Sequence, residues 1–189
     1  GKLPDPQHLF DHDEAAQAFS DILDARASED EIEAFLVALS ARGETMVEIA
    51  AAAQAMRDRL IPIDAPANAI DVCGTGGDGH HTLNVSTAVS IVVAACEVPV
   101  AKHGNRAASS KAGAADTLEA LGLDMERAGR MAQETLKDLG ICFLFAANHH
   151  PAMKRIQPIR QRIGQRTIFN LMGPLANPAR VKRQLIGIA

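Results

Sequence analysis

Two polar, glycine-containing loops constrain the fold of this chain more than any other feature. The first loop reads GTGGDG and occupies residues 74–79, and the second reads KHGNRAASSK and occupies residues 102–111. Each loop lies between a short β-like apolar run and a helix-like stretch. A strand, a glycine loop and a helix N-terminus together direct free backbone N–H groups at an anion. Two such loops predict a ligand with more than one phosphate group. The second loop adds basic and titratable side chains, namely Lys102, His103, Arg106 and Lys111.

Strand-like and helix-like stretches alternate after residue 69, which predicts an α/β domain with a mostly parallel sheet. The run ICFLFA at 141–146 is continuously apolar, as expected for a strand buried on both faces. The other predicted strands occupy 70–73, 98–101 and 182–189. The first predicted helix is capped by Ser86 or Thr87 and ends at Ala95. The others are predicted over 114–121, over one continuous stretch from Asp124 to Gly140, and over 151–166.

The first 60 residues predict a small all-helical unit. One helix is expected over 13–25, with its apolar residues on one face. Two capping boxes, Ser28 with Glu31 and Thr45 with Glu48, predict the starts of two more helices, because each pair satisfies free backbone donors reciprocally. The proline-containing segment 61–69 is predicted to be a linker. A structural or dimer-forming bundle is the expected role of this unit.

Composition excludes several classes of protein. The chain has 189 residues, 47% of them hydrophobic, which suffices for one domain or for a domain with a small subdomain. It contains no Trp or Tyr, so an aromatic platform for single-stranded nucleic acid is not expected. Its three cysteines lack metal-ligand spacing and favour a reducing, cytoplasmic compartment. No apolar run approaches the roughly 18 residues of a membrane span, and the N-terminus has no signal-peptide pattern.

Charge is distributed unevenly along the chain. The formal net charge of −4 combines −12 over residues 1–138 with +8 over residues 139–189, where no acidic residue occurs. A basic segment of this kind serves either nucleic acid or a small acidic substrate. The acidic balance of the whole chain favours the small substrate.

The first loop admits two interpretations. Glycines allow the backbone to turn and to approach a ligand closely, but they also occur in plain tight turns. Short polar side chains before the next helix favour a ligand site; they are Thr82, Asn84, Ser86 and Thr87. Asp78 is unfavourable beside bare phosphate, so it is expected to accept hydrogen bonds from a sugar or amine or to contact a hydrated metal ion. Ser86 suits either a Mg²⁺ ligand or a helix cap.

The second loop suits a pyrophosphate leaving group, whose developing charge requires fixed cations and N–H donors. A solvated loop with incidental charge is the alternative. His103 and Asn105 are candidates to face a second substrate, although a single histidine is as readily structural. Arg160 is either a surface residue or a bidentate clamp for a carboxylate. The adjacent pair His149-His150 is not expected to bind a metal, and no nucleophile system is evident.

These motifs, in this order, resemble those of the anthranilate phosphoribosyltransferase family. The resemblance rests on GTGGDG, T-x-N-x-S-T, VAKHGNR with SSK, FLFA-x-x-HHPAMK and RTIFNLMGPLANP. It implies a nucleoside phosphorylase-like fold with a small helical domain and a larger α/β domain. The implied domains are 1–65 joined by 154–178, and 66–153 joined by 179–189. It also implies a cytoplasmic homodimer formed through the helical domain.

The family reaction transfers the phosphoribosyl group of phosphoribosyl pyrophosphate to the amine of anthranilate, in tryptophan biosynthesis. By resemblance, no dedicated catalytic residue is needed, and Ser86 is a Mg²⁺ ligand. The implied donor-binding residues are Gly74, Gly77, Asp78, Thr82, Asn84, Val85, Ser86, Thr87, Lys102, His103, Gly104, Asn105, Arg106, Ala107, Ala108, Ser109, Ser110 and Ala114. The implied anthranilate-binding residues are Gly74, His103, Asn105, His150, Met153, Arg160 and Pro174.

The sequence departs from the family in three respects. The segment KAGAAD at 111–116 lacks serines that the family often has there, so Ala114 offers only its backbone. The family often has a proline where this chain reads Ala146-Ala147-Asn148. Family members are considerably longer, and an Asp-Glu pair of the metal sites lies beyond the last residue here. We therefore expect a chain truncated at its C-terminus, which binds substrate without turnover.

Two further functions remain open from the sequence. A pyrimidine nucleoside phosphorylase would share the fold, but KHGNR and HHPAMK disfavour it. A nucleic-acid-binding relative that has lost the donor site is disfavoured by the intact GTGGDG and NVST and by the acidic balance.

Overall fold

The computed structural model describes residues 2–74, 84–106 and 113–187. Their helices and strands, in chain order, are α1 (His12–Leu23), α2 (Glu29–Arg42), α3 (Met46–Arg57), β1 (Ile70–Gly74), α4 (Val85–Ala95), β2 (Val100–Gly104), α5 (Ala114–Ala120), α6 (Met125–Arg130), α7 (Ala132–Leu139), β3 (Ile141–Phe145), α8 (Ala146–His149), α9 (Met153–Ile163), a 3₁₀ helix (Ile168–Leu171), α10 (Met172–Leu175) and β4 (Arg183–Gly187). None of the helices in these ranges is long and apolar enough to cross a membrane.

The chain forms two compact units. A helical unit comprises Gly1–Leu60 and His150–Ala176, and an α/β unit comprises Ile61–His149 and Asn177–Ala189. The helical unit therefore consists of two separate stretches of sequence.

Capping boxes start the first three helices of the helical unit. Both predicted boxes are confirmed, at Ser28 and at Thr45. A third box begins α1, where the Asp11 carboxylate accepts from the backbone N–H groups of Asp13 and Glu14, each at 2.9 Å. This box places the start of α1 at His12, one residue before the prediction. The core lies where the predicted apolar faces of α1, α2 and α9 meet; its members include Phe19, Ile22, Ile32, Leu36, Leu39, Ile156 and Ile159.

Charge pairing within the helical unit accounts for part of the uneven charge distribution. Arg162 on α9 donates to Glu29 and Glu33 of α2, at 2.8 Å and 2.9 Å. Arg155, also on α9, donates to the backbone carbonyl of Ala27 at 2.7 Å. Two basic side chains of the C-terminal segment thus bind residues of the N-terminal stretch within the same unit. The prediction that this segment serves an external acidic ligand does not apply to Arg155 and Arg162.

The α/β unit contains a four-stranded parallel sheet in the order β3-β2-β1-β4. The parallel sheet and its four strands are confirmed. β4 pairs with β1 along five residues, from Ile70–Arg183 to Gly74–Gly187. β3 is buried at its centre, at Cys142, Phe143 and Leu144, whereas β4 is exposed along its whole length.

Two predictions about helices in this unit are wrong. Neither Ser86 nor Thr87 caps α4: Asn84 occupies the N-cap position without a side-chain cap, and the Thr87 hydroxyl donates to Asn84 Oδ1 at 2.7 Å. The predicted single helix from Asp124 to Gly140 is two helices, α6 and α7, which separate at Met131. Gly129 lowers the helix propensity beside this break, and a Cβ there would lie 2.5 Å from Asn148 Nδ2.

Glu48 is a fully buried carboxylate in the helical unit. It accepts from Arg42 Nη2 at 2.5 Å and from the backbone N–H of Thr45 at 2.7 Å. Burial raises the pKa of Glu48, but these hydrogen bonds outweigh burial and hold the pKa below its ordinary value of 4.5. A carboxylate with a lowered pKa stabilises the fold above its unfolded-state pKa, and this contribution is lost as the pH falls through the folded-state value.

We expect Glu48→Gln to lower the free energy of unfolding by about 3 kcal/mol, because it leaves the partly buried guanidinium of Arg42 without its counter-charge. Urea unfolding followed by circular dichroism at pH 7 measures the loss, and the gap to the parent chain should narrow at acid pH. Glu33→Gln is the matched control: it removes an exposed ion pair and should cost less than about 1 kcal/mol. Equal losses in both variants would contradict this account.

Candidate functional site

The first predicted loop begins at the carboxyl end of β1, whereas the neighbouring parallel strand β2 extends through Lys102, His103 and Gly104, the first three residues of the predicted second loop. β1 ends at Gly74 and β2 ends at Gly104, and the carboxyl edge of a parallel sheet is where such folds bind ligands. Gly104 does not lie at a sharp turn. It lies within the strand, and a Cβ there would approach Phe143 Cε2 at 2.8 Å and Ala114 Cβ at 2.9 Å. Close packing, rather than turn geometry, therefore requires glycine at this position.

Lys102 is a buried strand residue rather than a solvated loop cation. Its side chain is 3% exposed, and Nζ donates to the backbone carbonyl of Val72 at 2.7 Å. Nζ also lies 3.4 Å from Ser86 Oγ at the start of α4. Burial lowers the pKa of Lys102, and the nearby Asp71 carboxylate offsets part of that effect. The sheet thus carries a cationic group to the first turn of the helix that follows the first loop.

Ser86 fits the predicted role of a Mg²⁺ ligand in its chemistry. Its hydroxyl is a hard oxygen donor on a half-buried residue, and among the described residues it contacts Lys102 Nζ at 3.4 Å. One hydroxyl does not complete a magnesium site. Within the described ranges, no group of three or more His, Cys, Asp and Glu residues is arranged to hold a metal ion.

The other residues at the start of α4 hold one another in place. Asn84 Nδ2 donates to Thr117 Oγ1 of α5 at 3.1 Å, and Asn84 Oδ1 accepts from Thr87. Thr87 is 3% exposed, so its hydroxyl serves this network. Val85, the first residue of α4, has 59% of its surface exposed. The network ties the helix after the first loop to the helix after the second loop.

Arg106 in the second loop is engaged by acidic side chains. It donates to Asp116 at 3.2 Å and to both carboxylate oxygens of Glu119 on α5. Its guanidinium also lies over the Phe145 ring, 5.6 Å from the centroid. The Glu119 and Asp116 carboxylates raise the pKa of Arg106. A ligand phosphate would have to compete with these carboxylates for Arg106.

Three further predicted residues, His103, Asn105 and Ala114, lie near the end of β2 and at the start of α5. His103 is buried, and its backbone N–H donates to Asp71 Oδ1 at 3.1 Å. The Asn105 carbonyl accepts from the N–H of Ala115, next to Ala114 at the start of α5. The other predicted loop residues lie outside the described residues: Gly77, Asp78, Thr82, Ala107, Ala108, Ser109, Ser110 and Lys111.

Four predicted anthranilate contacts lie in the helical unit: His150, Met153, Arg160 and Pro174. His150 and Pro174 are buried, and Met153 packs against the core. Arg160 is half-buried, and Nη2 donates to Asn170 Oδ1 at 3.2 Å. Burial alone lowers its pKa, since no carboxylate of the described residues pairs with it. Arg160 is therefore not an exposed surface residue, and its guanidinium is available to a carboxylate.

Two residues near the strand ends were missed by the sequence analysis. Asp71 is fully buried in β1, and burial raises its pKa, with hydrogen bonds from Asn177 and His103 opposing the rise. Asn177 Nδ2 donates to the backbone carbonyl of Ala101 at 2.9 Å. The signal for Asp71 was present in the sequence, because a carboxylate inside the apolar run IDVC requires a partner.

Comparison with known proteins matches this arrangement to one family. Residues 66–189 match a family described as "Glycosyl transferase family, a/b domain", and residues 6–60 match its helical bundle domain. The chain belongs to this glycosyl transferase family. The resemblance inferred from the motifs is confirmed.

Individual members of the glycosyl transferase family agree with this assignment. An anthranilate phosphoribosyltransferase of Sphingopyxis alaskensis is 82% identical over the whole chain, which spans 57% of that protein. The crystal structure of the Thermus thermophilus anthranilate phosphoribosyltransferase superposes with a TM-score of 0.90 at 45% identity, over 96% of this chain and 55% of that one. The Saccharomyces cerevisiae enzyme, solved in complex with phosphoribosyl pyrophosphate and Mg, gives 0.84 at 29% identity, over 99% of this chain and 56% of that one. The chain thus spans just over half the length of these relatives.

Proposed function

We propose that this chain carries the phosphoribosyl pyrophosphate site of an anthranilate phosphoribosyltransferase. The observation that carries the proposal is the position of the Lys102 ammonium, buried beneath the carboxyl edge of the sheet and 3.4 Å from Ser86 Oγ. At this edge β1 ends where the first predicted loop begins, and β2 ends within the second. The relatives are named anthranilate phosphoribosyltransferase, which favours this activity over that of a nucleoside phosphorylase. The yeast enzyme was solved in complex with phosphoribosyl pyrophosphate and Mg, which supports the choice of donor and metal.

The reaction we propose forms a bond between the amine nitrogen of anthranilate and C1 of the donor, while the bond from C1 to pyrophosphate breaks and the nitrogen then releases one proton. The chain orients the donor and stabilises the charge that develops on pyrophosphate, without a nucleophile of its own. Lys102 supplies a fixed cation in a low-dielectric position, where its effect on that charge is larger than in water. Mg²⁺, when bound, adds positive charge to the pyrophosphate. Ser86 is the described residue that would hold it.

Donor binding would use the predicted donor-binding residues named above, from both loops and the first turns of α4 and α5. Anthranilate would place its carboxylate on the guanidinium of Arg160. We further propose that the two units are the predicted domains, that the helical one forms a homodimer, and that the enzyme is cytoplasmic. Since the chain spans just over half of its relatives, we expect it to bind substrate without turnover.

Calorimetric titration with phosphoribosyl pyrophosphate, with and without Mg²⁺, tests the donor site. We expect saturable binding at one site, strengthened by Mg²⁺ because the metal offsets the charge of the pyrophosphate. Ribose 5-phosphate, which lacks the pyrophosphate, is the control ligand and should bind more weakly. Absence of binding by the folded chain would contradict the proposal that these residues suffice for the site.

Arg160 provides a separate test of the second substrate. Anthranilate fluorescence is a convenient signal, because the chain has no Trp or Tyr. We expect Arg160→Lys to weaken anthranilate binding by roughly tenfold and Arg160→Ala by more, since lysine does not reproduce the bidentate contact.

Arg162→Ala is the matched control for this test. Arg162 lies two residues away on α9 but is exposed and paired with Glu29 and Glu33, so its loss should leave anthranilate affinity unchanged. Equal effects of the two alanine variants would contradict the role of Arg160.

A further inference from the structure

The two strands that precede the loops are paired differently from the rest of the sheet. β2 pairs with β3 along five residues, from Val100–Ile141 to Gly104–Phe145, and β1 pairs with β4 equally far. Between β1 and β2 the register consists of Ile70–Val100 at the amino end. Beyond that pair, towards the loops, the two strands are not joined by a continuing ladder of partners.

Side chains bridge β1 and β2 in this region instead. Asp71 Oδ1 on β1 accepts from the backbone N–H of His103 on β2 at 3.1 Å. In the opposite direction, Lys102 Nζ on β2 donates to the backbone carbonyl of Val72 on β1 at 2.7 Å. Backbone groups that a regular ladder would pair are thus satisfied by side chains of the neighbouring strand.

Asn177 completes the bridge from outside the sheet. Its Nδ2 donates to the Ala101 carbonyl of β2, and its Oδ1 accepts from the N–H of Ala179 at 2.8 Å. Burial raises the pKa of Asp71, and the nearby Asn177 side chain opposes that rise. Together, Asp71 and Asn177 link β1, β2 and the segment that leads towards β4.

Burial distinguishes Asp71 from residues that contact a ligand. Asp71 is 0% exposed. A carboxylate that is fully buried costs free energy unless several partners compensate it, and it does not reach a substrate. Its hydrogen-bond donor here is the backbone N–H of His103 on β2, and the ammonium of Lys102 on the same strand adds opposite charge.

We propose that Asp71 is a positioning residue for the donor site: with Asn177, its carboxylate replaces the backbone ladder between β1 and β2 and so fixes the separation of the two loops. This inference rests on the proposed function for its effect on phosphoribosyl pyrophosphate. The structural part of the inference, the link between the Asp71 carboxylate and the His103 amide, is independent of the proposed function. The residue acts through His103 and Lys102 rather than by contact with substrate.

Amide hydrogen exchange without ligand tests the structural content. In the 189-residue chain, Asp71→Ala should accelerate exchange of the His103 amide by at least about tenfold relative to amides of β3, because this N–H loses its acceptor. Asp71→Asn keeps an oxygen acceptor and should restore much of the protection. Asn177→Ala should accelerate exchange less, since it leaves the acceptor of His103 in place. Asp138→Asn, an exposed change of the same type on α7, is the control and should change nothing.

Titration of the same variants with phosphoribosyl pyrophosphate and Mg²⁺ tests the functional consequence. We expect affinity to fall at least about tenfold in Asp71→Ala, with partial recovery in Asp71→Asn, because small displacements of binding groups are costly. Unaltered His103 exchange in folded Asp71→Ala overturns the proposal, as does donor affinity unchanged while that exchange accelerates. If Asp71→Ala does not fold, the variants Asp71→Asn and Asn177→Ala test the proposal instead. The proposal is overturned if both variants show the His103 exchange rate and the donor affinity of the parent chain. A parent chain that binds no donor contradicts the proposed function, whereas the exchange data still decide the role of Asp71.

Discussion

A buried ammonium group beneath the carboxyl edge of a parallel sheet is the constraint on which the candidate site depends. Lys102 Nζ lies between the carbonyl of Val72 on β1 and the hydroxyl of Ser86 on α4. Burying a charge of this kind is unfavourable by itself. The fold compensates it with a backbone carbonyl at 2.7 Å and with the Asp71 carboxylate, which opposes the lowering of the Lys102 pKa. The result is a cation held at the edge of the sheet where β1 and β2 lead into the two predicted anion-binding loops.

Residues around Lys102 hold the neighbouring strand and helices in place. Glycine at 104 is required by the approach of Phe143 and Ala114, so the strand can lie close to α5. Asn84, Thr87 and Thr117 join α4 to α5, which links the helices after the two loops. Arg106 is paired with Asp116 and Glu119 on α5. Positive charge at this edge is therefore partly compensated within the protein, and a ligand with several phosphate groups is suited to compete for it.

Local features of the chain were predictable from the sequence, and long-range ones were not. The capping boxes at Ser28 and Thr45 and the buried strand ICFLF follow from residues close in sequence, and the structure confirms them. The box at Asp11 was missed although it obeys the same chemistry. Arg106 pairs with Glu119, 13 positions away, and Asn177 binds Ala101, 76 positions away. The burial of Lys102 depends on the packing of the sheet. Sequence spacing does not encode such contacts. The motifs identified the family, whereas the placement of its charges required the fold.

The central claim is that the buried ammonium of Lys102 stabilises a bound pyrophosphate. The most direct measurement is calorimetric titration of Lys102→Met with phosphoribosyl pyrophosphate and Mg²⁺, because methionine fills a similar volume without the charge. Lys137→Met, at an exposed position on α7, is the matched control. The account predicts that Lys102→Met weakens binding by at least about tenfold, whereas the control binds like the parent chain. Parent-like affinity in a folded Lys102→Met variant would contradict it.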